Sequence, residues 1–301
     1  MSAPLIRGCA NARPLSTPGS VQTTRGPVEL IDVGNGAAVL ALHGGMGGCD
    51  QSLLFARAAL GEESPYRVLA LSRPGYLGTP MESGSTPAAQ ADLYAALLDA
   101  LGIESALVIA VSAGGPSALD FALRHPSRCR GVVLVSCCTG TLAIPPQVRK
   151  RLPMMRWIAR LPWLVALMRR RALRDPDRAA VRSIRDAVLR ARTLADPVAG
   201  PMLTALQASV LDRMAQRLPG TLADTTTFEA MLPIDVTALA PPLLAIHGTA
   251  DSVVPFAHGA RVAEEAPRGE LMAVEGGEHV TLFTHLSKVR DRIRQFLTAG
   301  D

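Results

Sequence analysis

Ser112 stands where an apolar run meets a helix-forming run, a setting that can turn its hydroxyl into a nucleophile. Residues 107–111 are all apolar, which predicts a buried strand, and residues 116–123 predict a helix. A serine on so tight a strand-to-helix turn lies at a helix N-terminus, where backbone N–H groups can stabilise an oxyanion. The small residues 113–115 allow the close approach of strand and helix that such a turn needs.

A neutral serine hydroxyl is a poor nucleophile, so it needs a base within hydrogen-bond reach and an acceptor that orients the base. Asp251 and His279 each follow a predicted strand, residues 242–246 and 270–274. We expect His279 to accept the Ser112 proton and Asp251 to hold the imidazole tautomer. Two glutamates that flank the histidine are weaker candidates for the acid: Glu275 and Glu278.

A glycine-rich loop could supply the second part of an oxyanion site. Residues 38–42 predict another buried strand, and the segment His-Gly-Gly-Met-Gly-Gly follows it at 43–48. Such a loop can turn backbone N–H groups inward at the end of a strand. The predicted donors are the N–H of Ala113 and the N–H of Gly45, or of Met46 one residue along.

The order Ser112, Asp251, His279, each just past a strand, resembles the α/β-hydrolase fold. The usual turn in that family is Gly-x-Ser-x-Gly, and this chain has Ala110 in place of the first glycine. The resemblance extends from about Val28 to Leu297. It implies a mostly parallel central β-sheet flanked by helices, the serine-nucleophile branch of the family with an inserted helical cap, and no metal or organic cofactor.

The pattern along the chain agrees with one such core and one insertion. We predict a loose N-terminal arm at 1–20, a core formed by 21–138 and 236–301, and a helical cap at 139–235. The turn at 34–36, between predicted strands at 28–32 and 38–42, is a hairpin signal.

The predicted cap combines apolar and basic residues. Both tryptophans, Trp157 and Trp163, lie in it close to Leu164, and we predict that these three residues contribute to an acyl pocket over Ser112. Packing of the cap onto the core is the simpler alternative for most of its apolar residues. The segment also holds fifteen arginines and Lys150 against eight acidic residues, which could attract anionic substrates or form a solvated face.

Serine at position 112 excludes the family branches that attack with aspartate. The predicted activity is hydrolysis of an ester, thioester or lactone through an acyl-enzyme, as in carboxylesterases. Two alternatives stay open. One is C–C bond hydrolysis of a carboxylate-bearing diketone, which the arginine-rich cap favours. The other is a ligand receptor that keeps the triad without significant turnover.

Composition limits the partners and the location. Hydrophobic residues make up 48% of the 301 residues, enough for a large buried core. No apolar stretch approaches the roughly 20 residues of a membrane span, and 1–19 lacks the apolar centre of a secretory signal. The five cysteines show no metal-ligand spacing, and aromatic residues are only 4%. We expect a cytoplasmic monomer or homodimer that acts on a small apolar or amphipathic ester, without nucleic acid, metal or stable membrane insertion.

Overall fold

A nine-stranded sheet forms the centre of the protein. The structure is a computed structural model that describes residues 5–6 and 17–299. Its strands are β1 (Leu5–Ile6), β2 (Gly19–Thr23), β3 (Gly26–Val33), β4 (Ala38–Leu42), β5 (Arg67–Leu71), β6 (Ala106–Val111), β7 (Cys129–Val135), β8 (Leu243–Gly248) and β9 (Gly269–Val274). The spatial order is β1-β2-β3-β5-β4-β6-β7-β8-β9, and only the β2–β3 and β3–β5 pairs are antiparallel. The predicted mostly parallel sheet is confirmed.

Helices cover both faces of the sheet. They are α1 (Cys49–Leu60), α2 (Pro87–Ala100), α3 (Gly115–Arg124), α4 (Pro146–Ile158), α5 (Pro162–Arg174), α6 (Pro176–Ala180), α7 (Ala187–Ala195), α8 (Ala199–Ser209), α9 (Met214–Ala230), α10 (Ala257–Glu265), α11 (Thr281–Thr284) and α12 (Leu286–Thr298). Among the described residues, no helix is both long and apolar enough to cross a membrane.

The central strands are buried on two sides because their side chains alternate between two apolar layers. In β6, Val108 and Ala110 join the cluster that α2 and α3 complete, whereas Ile109 and Val111 join the cluster of α1 and α12. Every residue of β4, β6 and β8 is buried. Strands covered on both faces require continuous apolar runs, which is why these segments are readable in the sequence.

The hairpin predicted for residues 28–32 and 38–42 is wrong. β5 lies between β3 and β4, antiparallel to the first and parallel to the second. Gly34 and Gly36 have φ of +83° and +95°, as the turn signal requires, but the turn passes over the chain that leads into β5. A Cβ at these two glycines would lie 2.4 Å from the Tyr66 carbonyl oxygen and 2.3 Å from that of Pro65. β3 instead forms a hairpin with β2.

Between β7 and β8 the chain forms six helices, α4 to α9, and the described residues 139–235 contain no strand. Pro146, Pro162 and Pro176 each open a helix, a position where proline loses no hydrogen bond. The middle of this insertion packs on the core, since Ala180 and Leu203 join the α1–α12 cluster. The division into core and cap stays a prediction, and most of the predicted arm at 1–20 lies outside the described residues.

Candidate active site

Ser112 occupies a strained turn between β6 and α3. Its φ is +53°, in the left-handed region, which costs a non-glycine residue about 1–3 kcal/mol. A short 3-10 turn over Ser112–Gly114 leads directly into α3. The neighbours are small because space is short: a Cβ on Gly44 would lie 3.0 Å from the Ser112 Cβ, and one on Gly115 would lie 2.4 Å from the Cys138 carbonyl oxygen. The turn therefore fixes the Ser112 backbone and Cβ at the end of β6.

The structure brings Ser112, His279 and Asp251 together in one line of hydrogen bonds. The Ser112 Oγ lies 3.0 Å from His279 Nε2, and His279 Nδ1 lies 2.8 Å from Asp251 Oδ2. Since Asp251 can only accept, Nδ1 carries the proton of the neutral imidazole. Nε2 is then free to accept from the serine. These are the distances that proton transfer between a nucleophile and its base requires.

Asp251 is held in place by the backbone that follows it. Its Oδ1 accepts hydrogen bonds from the N–H groups of Val253 and Val254 at 2.8 and 3.0 Å, which leaves Oδ2 for His279. Burial alone would raise the pKa of Asp251, but hydrogen bonds from His247 and His279 outweigh it and hold the pKa below the ordinary value. His247, whose Nε2 lies 3.4 Å from Oδ2, is a partner that the sequence did not reveal.

The backbones that lead to Asp251 and His279 approach each other closely at two glycines, Gly248 and Gly277. A Cβ on Gly248, the last residue of β8, would lie only 2.1 Å from the Gly277 carbonyl oxygen. That oxygen accepts the Ala250 N–H at 3.0 Å. The two loops are thereby joined at the backbone, and this joint sets the distance between the acid and the base.

The two N–H groups predicted as alternatives, those of Gly45 and Met46, differ in their surroundings. Both lie in the glycine-rich segment 43–48, which we call the oxyanion loop. The Met46 N–H donates to Thr221 Oγ1 at 3.0 Å and so already has an acceptor. Gly45 is exposed, and a Cβ on it would have no heavy atom within 4 Å. Among the hydrogen bonds of the described chain, neither Gly45 N nor Ala113 N has an acceptor. Of the three predicted donors, Met46 is thus the one whose N–H is already bonded within the described chain, and the assignment of Gly45 and Ala113 as oxyanion donors stays a prediction.

Helix α9 of the insertion contacts the oxyanion loop through one face. Arg217, Thr221 and Asp224 follow each other at spacings of four and three residues, which places them on the same side of the helix. The buried Arg217 guanidinium donates to Asp50 at 2.7 and 3.1 Å and to Met46 O at 3.5 Å. Asp50 lies in the first turn of α1, which begins at Cys49.

The third residue of this face, Asp224, forms a buried ion pair. It accepts from Arg73 at 2.5 and 3.1 Å and from the Tyr76 hydroxyl at 2.5 Å. The Arg73 side chain is 2% exposed. Burial disfavours the charge of Arg73, yet the carboxylate of Asp224 outweighs this and raises the pKa of the guanidinium. The loop after β5 is thereby fixed to α9.

His43 supports the oxyanion loop as a neutral group. Its Nε2 accepts the Arg73 N–H at 2.9 Å, so its proton is on Nδ1, which donates to the Gly44 carbonyl at 2.6 Å. Complete burial, together with the charge of Arg73, lowers the pKa of His43 well below its usual value.

The two tryptophans predicted to line the site do not lie over it. Trp157 and Trp163 keep 60% and 66% of their surface exposed. The reason is the helical period: the inner face of α4 presents Met155 and Ile158, and Trp157 falls on the opposite side. The third predicted residue, Leu164, is half-buried. The sequence showed an apolar segment but not which of its two apolar faces would be covered.

Apolar residues other than the predicted tryptophans pack beside Ala113 and beside Met46, the neighbour of Gly45. Phe228 and Met231, at the end of α9, pack with Ala113. Leu218 and Met214, at its beginning, pack with Met46, and so do four residues of α4, α5 and the loop that joins them: Met155, Ile158, Ala159 and Val165. Nothing in the sequence distinguishes these residues from other core residues, so sequence analysis missed them.

Glu278, the alternative acid, has a different place. Its Oε1 accepts the N–H groups of Arg185 and Asp186 at 2.7 and 3.0 Å, and its side chain is buried. It therefore joins the His279 loop to the insertion and does not approach the imidazole as Asp251 does.

Comparison with known proteins identifies the family. A family model described as the alpha/beta hydrolase fold matches residues 37–286. An uncharacterized hydrolase of Bacillus subtilis (strain 168), YcgS, is 37% identical over 143 residues, 45% of this chain and 49% of that protein. The chain thus spans about half the length of this relative. The 2-hydroxymuconate semialdehyde hydrolase of Pseudomonas putida is 24% identical over 277 residues, 91% of each chain.

Solved structures agree on the fold. An alpha/beta hydrolase fold protein from Nakamurella multipartita superposes with a TM-score of 0.80 at 31% identity, covering 95% of this chain and all of that one. A thermophilic esterase from Thermogutta terrifontis gives a TM-score of 0.66 at 19% identity over 94% of this chain and 99% of that one.

Proposed function

This chain belongs to the α/β hydrolase fold family, and from that premise we propose that it is a serine hydrolase that forms an acyl-enzyme on Ser112. The observation that carries the proposal is the line of hydrogen bonds from Ser112 through His279 to Asp251, at 3.0 and 2.8 Å. The substrate class is an ester, thioester or lactone. The reaction proposed here uses side chains and backbone N–H groups of this protein together with water.

In the first half-reaction, Ser112 Oγ attacks the acyl carbon while its proton moves to His279 Nε2. Asp251 stabilises the imidazolium that forms. The oxygen of the tetrahedral intermediate becomes negative and is bound by the N–H groups of Gly45 and Ala113, each worth roughly 3 kcal/mol in the transition state. The C–O or C–S bond to the leaving group then breaks, and His279 returns the proton to that group.

In the second half-reaction, water takes the place of the leaving group. His279 removes a proton from the water, whose oxygen attacks the acyl carbon, and the same two N–H groups bind the second oxyanion. Collapse of this intermediate releases the acid and returns the proton to Ser112. The strained serine backbone keeps Oγ aligned in both halves.

The surroundings of the two donors favour an apolar acyl group. Phe228 and Met231 pack beside Ala113, and Leu218 packs beside Met46. Leu218 and Phe228 are on α9 and Met231 directly follows it, so we infer that the insertion acts as a cap that forms part of the acyl site. An apolar cap face excludes water and strengthens the electrostatic interactions in the site.

The likeness to the 2-hydroxymuconate semialdehyde hydrolase of Pseudomonas putida favours a second candidate, C–C bond hydrolysis. Such a substrate carries a carboxylate and would gain from a cation near Ser112. Arg73 lines the same small cavity as Ala113, and Asp224 already neutralises its charge. This pairing is why we rank ester hydrolysis first.

The test combines labelling with turnover. A fluorophosphonate probe should label the wild type and Ser117→Ala but not Ser112→Ala. Ser117 is a matched control because it lies in α3, directly after the Ser112 turn, and its hydroxyl donates to Gly114 O. Absence of label on the wild type, or equal label on Ser112→Ala, would contradict the proposal.

Turnover of p-nitrophenyl esters of graded chain length then reports the acyl length that the site accepts. Turnover of 2-hydroxymuconate semialdehyde is measured separately as the test of C–C hydrolysis. Ester turnover lost in Ser112→Ala supports the proposal. Faster turnover of the semialdehyde would favour C–C hydrolysis, and labelling without turnover of either class would favour a ligand receptor.

A further inference from the structure

The first two helices of the insertion form an unusually basic segment. Between Pro146 and Arg174 there is no Asp or Glu and there are nine basic residues: Arg149, Lys150, Arg151, Arg156, Arg160, Arg169, Arg170, Arg171 and Arg174. Arg149 pairs with Glu229. In the part of the chain that the structure describes, none of the other eight has a carboxylate partner. Since the whole chain has a net charge of +5, the rest of it is net negative.

Large apolar side chains project from the same helices into solvent. The exposed fractions are 53% for Met154, 60% for Trp157, 66% for Trp163 and 40% for Leu167. These four residues define what we call the α4–α5 face. Met154 and Trp157 lie three residues apart on α4, and Trp163 and Leu167 lie four apart on α5, so each pair shares one side of its helix.

The other side of both helices is already occupied. Met155, Ile158 and Val165 pack inward against Met46 and its neighbours at the oxyanion loop. The α4–α5 face is thus not the surface that attaches the insertion to the core. It is a second apolar surface, directed outward and surrounded by positive charge.

We propose that the α4–α5 face binds reversibly to an anionic lipid surface. Indole rings settle at the level of lipid headgroups because one part of the ring is apolar and its N–H is polar. Arginines around such a face attract anionic headgroups, and the pairing of aromatic and basic residues is typical of helices that lie in the membrane interface. Each helix has 13 residues, about 20 Å, so both lie in the interface plane rather than span about 30 Å of hydrocarbon.

Charge argues against two other occupants. A second copy of this chain would bring one face without acidic residues against another, and the like charges would repel. A nucleic acid would use the arginines but would leave the aliphatic residues Met154 and Leu167 exposed to water. A lipid surface accounts for both the charge and the apolar side chains.

The two tryptophans provide the readout, because the chain has no others. Full-length protein is titrated with vesicles of phosphatidylcholine alone and of phosphatidylcholine mixed with phosphatidylserine. We expect sedimentation and a blue shift of the tryptophan emission with the anionic vesicles only, and a loss of both at high salt.

Variants separate the contribution of the basic residues to vesicle binding from that of the tryptophans. Arg169→Gln/Arg170→Gln/Arg171→Gln should weaken binding at least about tenfold. Trp157→Ala/Trp163→Ala should weaken binding as well. Because this variant has no tryptophan, its binding is measured by sedimentation. Arg57→Gln/Arg294→Gln is the matched control, since these arginines are exposed but distant in sequence, and it should bind like the wild type.

Several outcomes would overturn the proposal. They are equal binding to neutral vesicles, undiminished binding by either test variant, a dimer that depends on the tryptophans, and binding of DNA or RNA with no shift on anionic vesicles. Ser112→Ala should bind vesicles like the wild type, so a failure of lipid binding and a failure of the proposed hydrolase activity are separate results.

Discussion

Thr221 and Met46, far apart in sequence, are joined by a hydrogen bond of 3.0 Å from the Met46 N–H to the Thr221 hydroxyl. Met46 follows Gly45, whose N–H we propose as an oxyanion donor. The bond therefore connects the middle of α9 to the loop whose geometry determines that donor's direction. Thr221 does not touch the reacting atoms; it is a positioning residue.

Removing this hydroxyl should lower kcat more than it changes KM. Thr221→Val keeps the shape of the side chain but cannot accept the Met46 N–H, so the loop loses its support. A small displacement of a catalytic donor can cost about 10- to 100-fold in rate. Steady-state kinetics on a p-nitrophenyl ester measure the effect.

Thr221→Ser should restore most of the rate, because it restores the acceptor. Thr226→Val is the control on the same helix, since its hydroxyl bonds only to Leu222 O and is exposed. An equal loss of kcat in Thr226→Val would mean that α9 is simply destabilised.

Asp224→Ala should lower the free energy of unfolding by about 3–5 kcal/mol, because it leaves the buried Arg73 without its counter-charge. Asp224→Asn keeps an acceptor oxygen and should cost less. Urea denaturation measures both. The exposed pair of Asp291 and Arg294 gives the comparison: Asp291→Ala should change stability by less than about 1 kcal/mol. Equal losses of unfolding free energy in Asp224→Ala and Asp291→Ala would show that the buried ion pair with Arg73 is not the cause of the destabilisation.

Two acids near His279 should behave differently on substitution. Asp251→Ala should reduce kcat by about three to four orders of magnitude, as loss of the orienting acid does in serine hydrolases. Glu278→Gln should stay within a few-fold of the wild type, because Gln still offers an oxygen to the Arg185 and Asp186 N–H groups. Near-normal activity in Asp251→Ala together with loss in Glu278→Gln would reverse the assignment.

The Asp251 carboxylate should also contribute to stability in a pH-dependent way. Its pKa is lower in the folded chain than the unfolded value of about 3.9. Its ionised form therefore stabilises the fold fully above that value, and the contribution disappears as the pH falls through the folded-state pKa. The difference in unfolding free energy between wild type and Asp251→Asn should shrink as the pH drops below about 4. Chemical denaturation at several pH values measures it; a constant difference would contradict the prediction.

The parts of the site that follow from local pattern could be predicted from the sequence. β6 is a continuous apolar run because it is covered on both faces, and the small residues after it report the tight turn at Ser112. Asp251 and His279 were predictable because each lies just past a strand at the same edge of the sheet. These features need no knowledge of distant contacts.

The remaining features depend on residues far away in the chain. The Met46 N–H donates to the hydroxyl of Thr221, 175 residues later, and no local signal in the sequence indicates that bond. The failed hairpin at residues 34–36 has the same cause, because β5 inserts between the two strands. Trp157 was placed wrongly since α4 has two apolar sides and only the packing decides which is covered.

The contacts of α9 have a consequence for recombining this protein with its relatives. Arg217, Thr221 and Asp224 contact Asp50, Met46 and Arg73 of the core, so the insertion and these two core segments form one structural unit. A chimera that takes only residues 139–235 from a relative without Asp and Thr at the positions of Asp224 and Thr221 would leave Arg73 unpaired and Met46 unsupported. Grafts that also carry residues 43–51 and 72–80 keep the six partners matched and should be the ones that retain catalysis.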